Sequence, residues 1–111
     1  YLGGAWPLPI PLRDRAISLA RQAVATLEEP LGYIGVDLVL GSSLNGSDDV
    51  VVEINPRLTT SYVGLRAVVS DNLAEAILAA IDSRPVTLSF HAASVEFDKD
   101  GTVRVCRSVG L

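Results

Sequence analysis

The amino-acid sequence predicts an α+β fold in which helices pack on one face of an antiparallel sheet. Apolar residues recur at helical spacing over residues 12–29 and 71–82. By contrast, residues 33–40, 50–55 and 85–107 are alternately or continuously apolar, as strands are. Polar links that contain glycine join neighbouring strand-like stretches. Such links are typical of hairpins, so the strands are expected to pair in antiparallel fashion.

The N-terminal part of the chain is predicted to be a loop followed by one helix. Residues 1–11 hold two glycines and three prolines, so a loop or extended segment without a regular element is expected. A helix is expected from Leu12 to Glu29, because apolar residues there share one face and Pro30 then stops the helix. That face consists of Ile17, Ala20, Val24 and Leu27.

The C-terminal half is predicted to contain a second helix and further strands. The helix is expected over about 71–82, with Ser70 or Asp71 as its N-cap. Alternating apolar residues over 85–107 predict strands, and the dipeptide Asp100-Gly101 predicts the turn of a final hairpin. The apolar face of this helix consists of Leu73, Ile77, Ala80 and Ile81.

Composition narrows the classes of partner and compartment. The formal net charge is −4 and the pI is about 4.8, which argues against nucleic acid and anionic membranes as partners. No apolar run reaches the roughly 18–20 residues of a membrane span. Cys106 is the single cysteine, so no internal disulfide forms and a cytoplasmic protein is expected. The chain lacks methionine and begins abruptly, which indicates a fragment of a longer polypeptide. The oligomeric state stays open, and a homo-oligomer is one alternative.

The main functional signal is an acidic pair that the strand pattern predicts on one sheet face. Side chains alternate between the two faces of a strand, and in both central strands the apolar core positions have even numbers. If the hairpin is centred on Asn45, Asp37 lies directly across from Glu53, and Asn55 shares their face. A tight two-residue Asn45-Gly46 turn would instead place Asp37 on the other side of the sheet. The predicted core positions are Ile34, Val36, Leu38, Leu40, Val50, Val52 and Ile54.

The predicted acidic face is a candidate metal site. Two carboxylates that face each other across strands repel unless a cation lies between them. Two carboxylates and an amide suit Mg²⁺ or Mn²⁺ rather than zinc, and Mg²⁺ keeps positions open for water and phosphate oxygens. Asp37, Glu53 and Asn55 are therefore candidate ligands for a metal that binds nucleotide phosphates. The alternative is a solvated sheet face with scattered polar residues, and the spacing alone leaves both interpretations open.

Two segments carry a family resemblance. "YIGVDLVL" (33–40) and "VVEINPRLTTSYVGL" (51–65), with the polar loop between them, resemble the C-terminal lobe of ATP-grasp ligases. The resemblance is specific over residues 32–66, whereas residues 85–111 carry none. The amino-acid sequence of these segments is most similar to the carboxylate–amine ligase branch of that family.

The resemblance implies roles for individual residues. Asp37, Glu53 and Asn55 match the residues that hold Mg²⁺ in the family, and Glu53 and Asn55 thereby bind ATP through its phosphates. Arg57 matches a catalytic arginine that faces an acyl phosphate, although an ion pair with a nearby carboxylate is the alternative for this side chain. The residues of the loop that follows match the lining of the acceptor-substrate pocket: Thr59, Thr60, Ser61 and Tyr62.

The resemblance also implies a domain organisation and an activity. Residues 1–111 would be the C-terminal part of an ATP-grasp domain, without the upstream ATP-binding lobe. The implied activity is that of an ATP-dependent carboxylate–amine ligase, which joins a small-molecule carboxylate to an amine through an acyl phosphate. Family members contact the phosphates with lysines of the upstream lobe, and Lys99 is the one lysine here, so the fragment alone is expected to be inactive. A degenerate, non-catalytic lobe that acts as a binding or regulatory module is the alternative function.

Overall fold

The structure, a computed structural model of the chain, describes residues 2–107. It confirms the α+β class, and every strand pair in the described range is antiparallel. The elements in chain order are β1 (Gly3–Trp6), α1 (Ile10–Val24), β2 (Gly35–Val39), β3 (Val50–Asn55), α2 (Ser61–Val68), α3 (Leu73–Ile81), β4 (Ala93–Asp98) and β5 (Val103–Arg107).

The strands form two sheets instead of the single predicted one, and the chain divides into two units. The hairpin unit comprises Leu8–Leu58 and contains α1 and the two-stranded sheet β2-β3. The sheet unit comprises the N-terminal residues up to Pro7 together with the residues from Thr59 onwards, and it contains the sheet β1-β4-β5. In the hairpin unit α1 packs on both strands, and in the sheet unit α2 packs on all three. No helix within residues 2–107 has the length and apolar character to cross a membrane.

The first helix differs from its predicted span at both ends, since α1 replaces the expected 12–29 helix. Pro11 lies in the first turn of α1, where backbone N–H groups have no partner within the helix, so proline is tolerated there. At the other end, the Thr26 hydroxyl donates to the carbonyl three residues earlier at 2.7 Å. Glu29 has a φ of 48°, which a helix cannot contain. The helical bonding therefore ends before Pro30.

The prediction of a loop over residues 1–11 is wrong, because β1 pairs there with β4. Glycine permits this pairing by leaving room for the ring of Phe97 on β4. A Cβ atom on Gly4 would lie 2.6 Å from Phe97 Cζ, well inside van der Waals contact. The residue that looks like a strand breaker in the sequence is therefore the one that the packed strand requires.

The loop predicted after Arg57 is also wrong in part, because α2 begins at Ser61. Gly64 lies inside this helix, and it too borders the ring of Phe97. A Cβ atom on Gly64 would lie 2.7 Å from Phe97 Cε1 and closer still to Cδ1. The ring therefore fills space left by two glycines, Gly4 and Gly64, and this contact brings α2 close to the sheet.

The core of the sheet unit forms where α2 meets β4. Val68 and Val95 are fully buried, and Ala93 packs with them. Along β4, buried residues alternate with exposed ones, so this strand has one core face. The predicted final hairpin is confirmed: β4 pairs with β5, and Gly101 in the turn has a φ of 91°.

The second predicted helix is confirmed as α3, but its N-cap is neither Ser70 nor Asp71. Asn72 precedes the helix in an extended conformation, and its side-chain oxygen accepts a hydrogen bond from the Glu75 backbone N–H at 3.2 Å. The Asp71 carboxylate instead accepts a hydrogen bond from the backbone of another segment, the N–H of Ser89, at 2.6 Å.

The predicted strand that begins at residue 85 does not form. Only an isolated bridge joins Phe90 to Val69 in this segment. Phe90 stacks on Trp6 with ring centroids 5.7 Å apart. The alternating apolar residues of this segment therefore do not form a ladder of strand pairs; Val86 and Phe90 are 43% and 50% exposed.

Candidate functional site

The hairpin unit places the two predicted carboxylates opposite each other. In the β2-β3 ladder Asp37 pairs with Glu53, and the neighbouring pair is Val36 with Ile54. Partners in a ladder share a face, and successive pairs alternate between the faces. Asp37 and Glu53 are exposed, whereas Val36 and Ile54 are half-buried. The prediction of an acidic face and an apolar face is therefore confirmed for these two pairs.

A β-bulge interrupts the ladder on the side nearer the loop. Beyond Asp37 the register shifts, so that Leu38 pairs with Val51 and Val39 with Val50. Val52 is then an extra residue that has no partner of its own, and its side chain is 64% exposed. The prediction that Val50 and Val52 are buried is wrong, since Val50 is also 53% exposed. The bulge moves Val51 to the face of Val36 and Leu38 in their place.

Asn55 ends β3 two residues after Glu53, and no register shift separates them, so it lies on the acidic face. Its ladder partner is Gly35, which brings no side chain to that face. Asn55 is 9% exposed, in contrast to the exposed carboxylates. The amide therefore sits at the buried end of the acidic face.

Arg57 lies beyond the strand, so the alternation of β3 does not extend to it. Its backbone N–H donates to the Asn55 carbonyl at 2.8 Å, which makes a tight turn around Pro56. Its guanidinium donates to the carbonyl of Leu58 at 3.0 Å and is exposed. No carboxylate of residues 2–107 forms a salt bridge with Arg57. The ion pair considered as its alternative role is therefore absent from the described part of the chain.

The four residues predicted to line an acceptor pocket belong to the sheet unit, at the start of α2. Thr60 is the N-cap, Ser61 and Tyr62 form the first turn, and the Tyr62 N–H donates to the Thr59 carbonyl at 3.0 Å. Ser61 borders a cleft of about 320 Å³. The cleft is otherwise lined by Gly3, Gly4, Ala5, Trp6, Gly64, Leu65 and Phe97.

Comparison with known proteins identifies the family of the chain. A family model described as an ATP-grasp domain matches residues 1–61, more than half of the chain. The chain belongs to the ATP-grasp family. The matched range contains Asp37, Glu53, Asn55 and Arg57, and it ends within the first turn of α2.

Two curated relatives are named tyramine–L-glutamate ligase, from Methanocaldococcus fervens and Methanocaldococcus jannaschii. Each is 27% identical to the chain over 99 residues, which is 89% of the chain. The match covers 32% and 30% of these two proteins, so the chain spans about a third of their length. The chain is thus an ATP-grasp protein related to the carboxylate–amine ligase branch. No solved structure matches it significantly.

The donors of the acidic face fit the divalent cation that ATP-grasp proteins use with ATP. Asp37 and Glu53 supply carboxylate oxygens from opposed positions, and Asn55 supplies an amide oxygen from the same face. Within residues 2–107, no group of three or more His, Cys, Asp or Glu is placed to hold a metal ion. A donor set of two carboxylates and an amide is compatible with Mg²⁺, which binds through one or two carboxylates and keeps several waters.

A partly buried ion pair beside this ATP-grasp hairpin was missed by sequence reasoning. Arg15 of α1 contacts Asp49, which directly precedes β3, through two nitrogens, with Nε to Oδ2 at 3.0 Å. The side chains are 18% and 6% exposed. The hydrogen bond from Arg15 lowers the pKa of Asp49 below its usual value, burial opposes this, and the Gly41 N–H adds to it. An arginine in a helix and an aspartate in a polar loop carry no signal of pairing in a single sequence.

Proposed function

We propose that the chain is the C-terminal part of an ATP-dependent carboxylate–amine ligase. The observation that carries the proposal is the pairing of Asp37 with Glu53 across β2 and β3, with Asn55 on the same face. Membership of the ATP-grasp family supports the use of ATP. The names of the two relatives support a reaction between an amine and a carboxylate.

The acidic pair has the charge that a cation on ATP requires. The Cβ atoms of directly opposed strand positions lie about 5 Å apart, so two carboxylates at such positions bring like charges close together and repel each other. A Mg²⁺ or Mn²⁺ ion, when bound, offsets this repulsion and the charge of the phosphates. Asp37, Glu53 and Asn55 would hold the ion, and Glu53 and Asn55 would thereby orient the phosphates of ATP.

The reaction would proceed in two transfers. The γ-phosphoryl group of ATP passes to an oxygen of the substrate carboxylate, which forms an acyl phosphate and releases ADP. The amine then attacks the acyl carbon, a C–N bond forms, and inorganic phosphate leaves while the amine nitrogen loses a proton. Arg57, which has an exposed guanidinium, offers a planar fork of donors to the acyl phosphate.

The acceptor amine would contact the segment from Thr59 to Tyr62. Ser61 supports this because its side chain borders the cleft beside α2. The cleft is at the lower end of the volumes typical of small-molecule sites, about 300–1,000 Å³. Because Tyr62 belongs to the segment matched to the acceptor pocket, Tyr62→Ala should change which amine is accepted more than it changes the affinity for ATP.

The central test is Glu53→Gln in the full-length protein, measured as amine-dependent ADP release and as Mn²⁺ affinity. The substitution keeps the size of the side chain and removes one charge from the donor set, so both quantities should fall at least tenfold while the melting temperature stays close to the wild type. Arg57→Lys keeps the charge but loses the fork, so it should slow turnover without weakening Mn²⁺ binding. Glu28→Gln, the same exchange at another exposed position of the hairpin unit, is the matched control.

Two results would contradict the proposal in different ways. Wild-type turnover by Glu53→Gln would remove the metal role of the acidic face. A full-length wild-type protein that binds Mn²⁺ at Glu53 but releases no ADP with any amine and carboxylate would favour the binding or regulatory module. The 111-residue chain alone is expected to fold and to show no steady ATP hydrolysis.

A further inference from the structure

We propose that Arg15 and Asp49 are positioning residues that create the β-bulge at Val52 and thereby set the geometry of the acidic pair Asp37–Glu53. This inference rests on the proposed function, because the acidic pair is the site whose geometry is set. The two side chains, together with the backbone of Gly41, are called the loop clamp below.

The loop clamp joins three segments of the hairpin unit. Arg15 Nη2 donates to the Gly41 carbonyl at 2.9 Å, and the Gly41 N–H donates to Asp49 Oδ1 at 2.8 Å. Arg15 Nε donates to Asp49 Oδ2 at 3.0 Å. Helix α1 therefore holds the two ends of the β2-β3 loop together through one carboxylate and one peptide group. Hydrogen bonds between charged groups are stronger than those between neutral groups, and the side chains of this pair are mostly buried.

The loop clamp fixes the register at the base of the loop. Gly41 faces Asp48 so closely that a Cβ atom on Gly41 would collide with the Cβ of Asp48. This contact continues the pairing of Val39 with Val50, since moving two residues outward along both strands leads from that pair to Gly41 and Asp48. Near the loop, the two residue numbers of each pair thus sum to 89, one less than the sum for Asp37 and Glu53, so the register there is shifted by one residue.

The far end of the hairpin requires the other register. There Val36 pairs with Ile54 on the half-buried face, and Asp37 pairs with Glu53 on the exposed face. If the register of the loop base continued, Val36 would face Glu53, and a carboxylate would move to the face that packs on α1. Each end therefore favours its own register, and one extra residue between them resolves the conflict.

The sequence around the bulge does not choose between the registers by itself. Val50, Val51 and Val52 are identical side chains, so a shift of one residue exchanges one valine for another. Without the loop clamp, a regular ladder would pair Leu38 with Val52 and bury a side chain that is now 64% exposed. A bulge bends its strand and changes the direction of neighbouring side chains. Here it adjoins Glu53, so the loop clamp determines how the two carboxylates face each other.

Cross-strand disulfides in the full-length protein report the register directly. A disulfide between Leu38→Cys and Val51→Cys should form in the bulged register. A disulfide between Leu38→Cys and Val52→Cys should form in the regular register. A disulfide between Val36→Cys and Ile54→Cys should form in either register. Cys106→Ser serves as the background, and the bonds are mapped by mass spectrometry after mild oxidation. With the loop clamp intact, the 38–51 bond should form in preference to the 38–52 bond.

Removal of the loop clamp by Asp49→Ala should reverse that preference and leave the 36–54 bond unchanged. The same variant, with the native residues at the reporter positions, should bind Mn²⁺ at least tenfold more weakly, as is usual when a residue that orients metal ligands is lost. Arg15→Lys keeps the charge and the fold but cannot reach both Asp49 and Gly41, so it should give an intermediate result. Asp48→Asn, the adjacent and exposed carboxylate, should change neither readout.

Each outcome decides the inference. A 38–51 preference that persists in Asp49→Ala and Arg15→Lys would show that the loop clamp does not create the bulge. A reversed preference with unchanged Mn²⁺ affinity would show that the bulge does not position the acidic pair. Failure of the proposed function is a separate result. In that case the Glu53→Gln variant would keep the wild-type Mn²⁺ affinity and turnover, whichever disulfide forms.

Discussion

Gly64→Ala is expected to destabilise the sheet unit, although the same exchange stabilises most helices. At an exposed helix interior, replacing glycine by alanine gains about 1 kcal/mol. In α2 the new methyl group would lie 2.7 Å from Phe97 Cε1 and closer to Cδ1. Phe97 is only 6% exposed, so its ring has to shift against packed neighbours to admit the methyl group.

The magnitude follows from these opposing effects. Additional atoms in a packed core cost about 1–3 kcal/mol, and contacts this short belong in the upper half of that range. After subtracting the gain of about 1 kcal/mol in helix propensity, the free energy of unfolding should fall by about 1–2 kcal/mol. For a domain of this size that lowers the melting temperature by roughly 4–16 °C. Phe97→Leu in the same chain should reduce the cost of Gly64→Ala, so the two changes should not be additive.

The assay is urea unfolding of the 111-residue chain, followed by the fluorescence of its single tryptophan, Trp6. Trp6 lies in the sheet unit and stacks on Phe90, so its emission reports on the unit that contains the substitution. Ala74→Gly, at an exposed position of α3, calibrates the helix propensity in this protein. If Gly64→Ala raises the free energy of unfolding by as much as Ala74→Gly lowers it, the close packing of Phe97 does not constrain α2.

Two further predictions concern stability. Because the pKa of Asp49 is lower in the native state than its usual 3.8, its stabilisation is complete above about pH 5 and is lost as the pH falls through the native pKa. Asp49→Asn should thus lose less stability than the wild type in acid unfolding curves between about pH 5 and pH 2, and an unchanged slope would contradict this; Asp48→Asn is the control. Asn72→Ala removes the cap of α3 and should lower the free energy of unfolding by about 1 kcal/mol, measured in urea. A larger loss from Ser70→Ala would show that the cap was assigned to the wrong residue.

The sequence predicted the parts of the fold that depend on neighbouring residues. Alternation of apolar and polar side chains placed Asp37 opposite Glu53, since pairs whose residue numbers have an even sum keep both carboxylates off the apolar face. The predicted hairpin centre at Asn45 is wrong, because the pairs nearer the loop are shifted by one residue and the bulge at Val52 restores the predicted pairing. The Asp100-Gly101 turn predicted the β4-β5 hairpin because its geometry requires a positive φ, which Gly101 adopts. The α3 helix was likewise evident from its periodicity, although its cap lay one or two residues further on.

The missed strand β1 and the missed helix α2 share one physical cause, which is contact between residues far apart in the chain. Gly4 and Gly64 look like breaks in regular structure, and only the ring of Phe97 shows why a strand and a helix need them. The roles of Asp37, Glu53, Asn55 and Arg57 in catalysis remain predictions that the proposed substitutions test, because local geometry alone does not identify a ligand.

The sequence by itself determined that both carboxylates of the acidic pair lie on the solvent face, since this depends only on the two-residue period of a strand. What the tertiary structure alone decided is the bulge at Val52. Three consecutive valines fit either register equally, so local preference cannot choose between them. The choice falls to Arg15, which lies on a separate helix and bonds to Asp49 and Gly41 at the base of the loop.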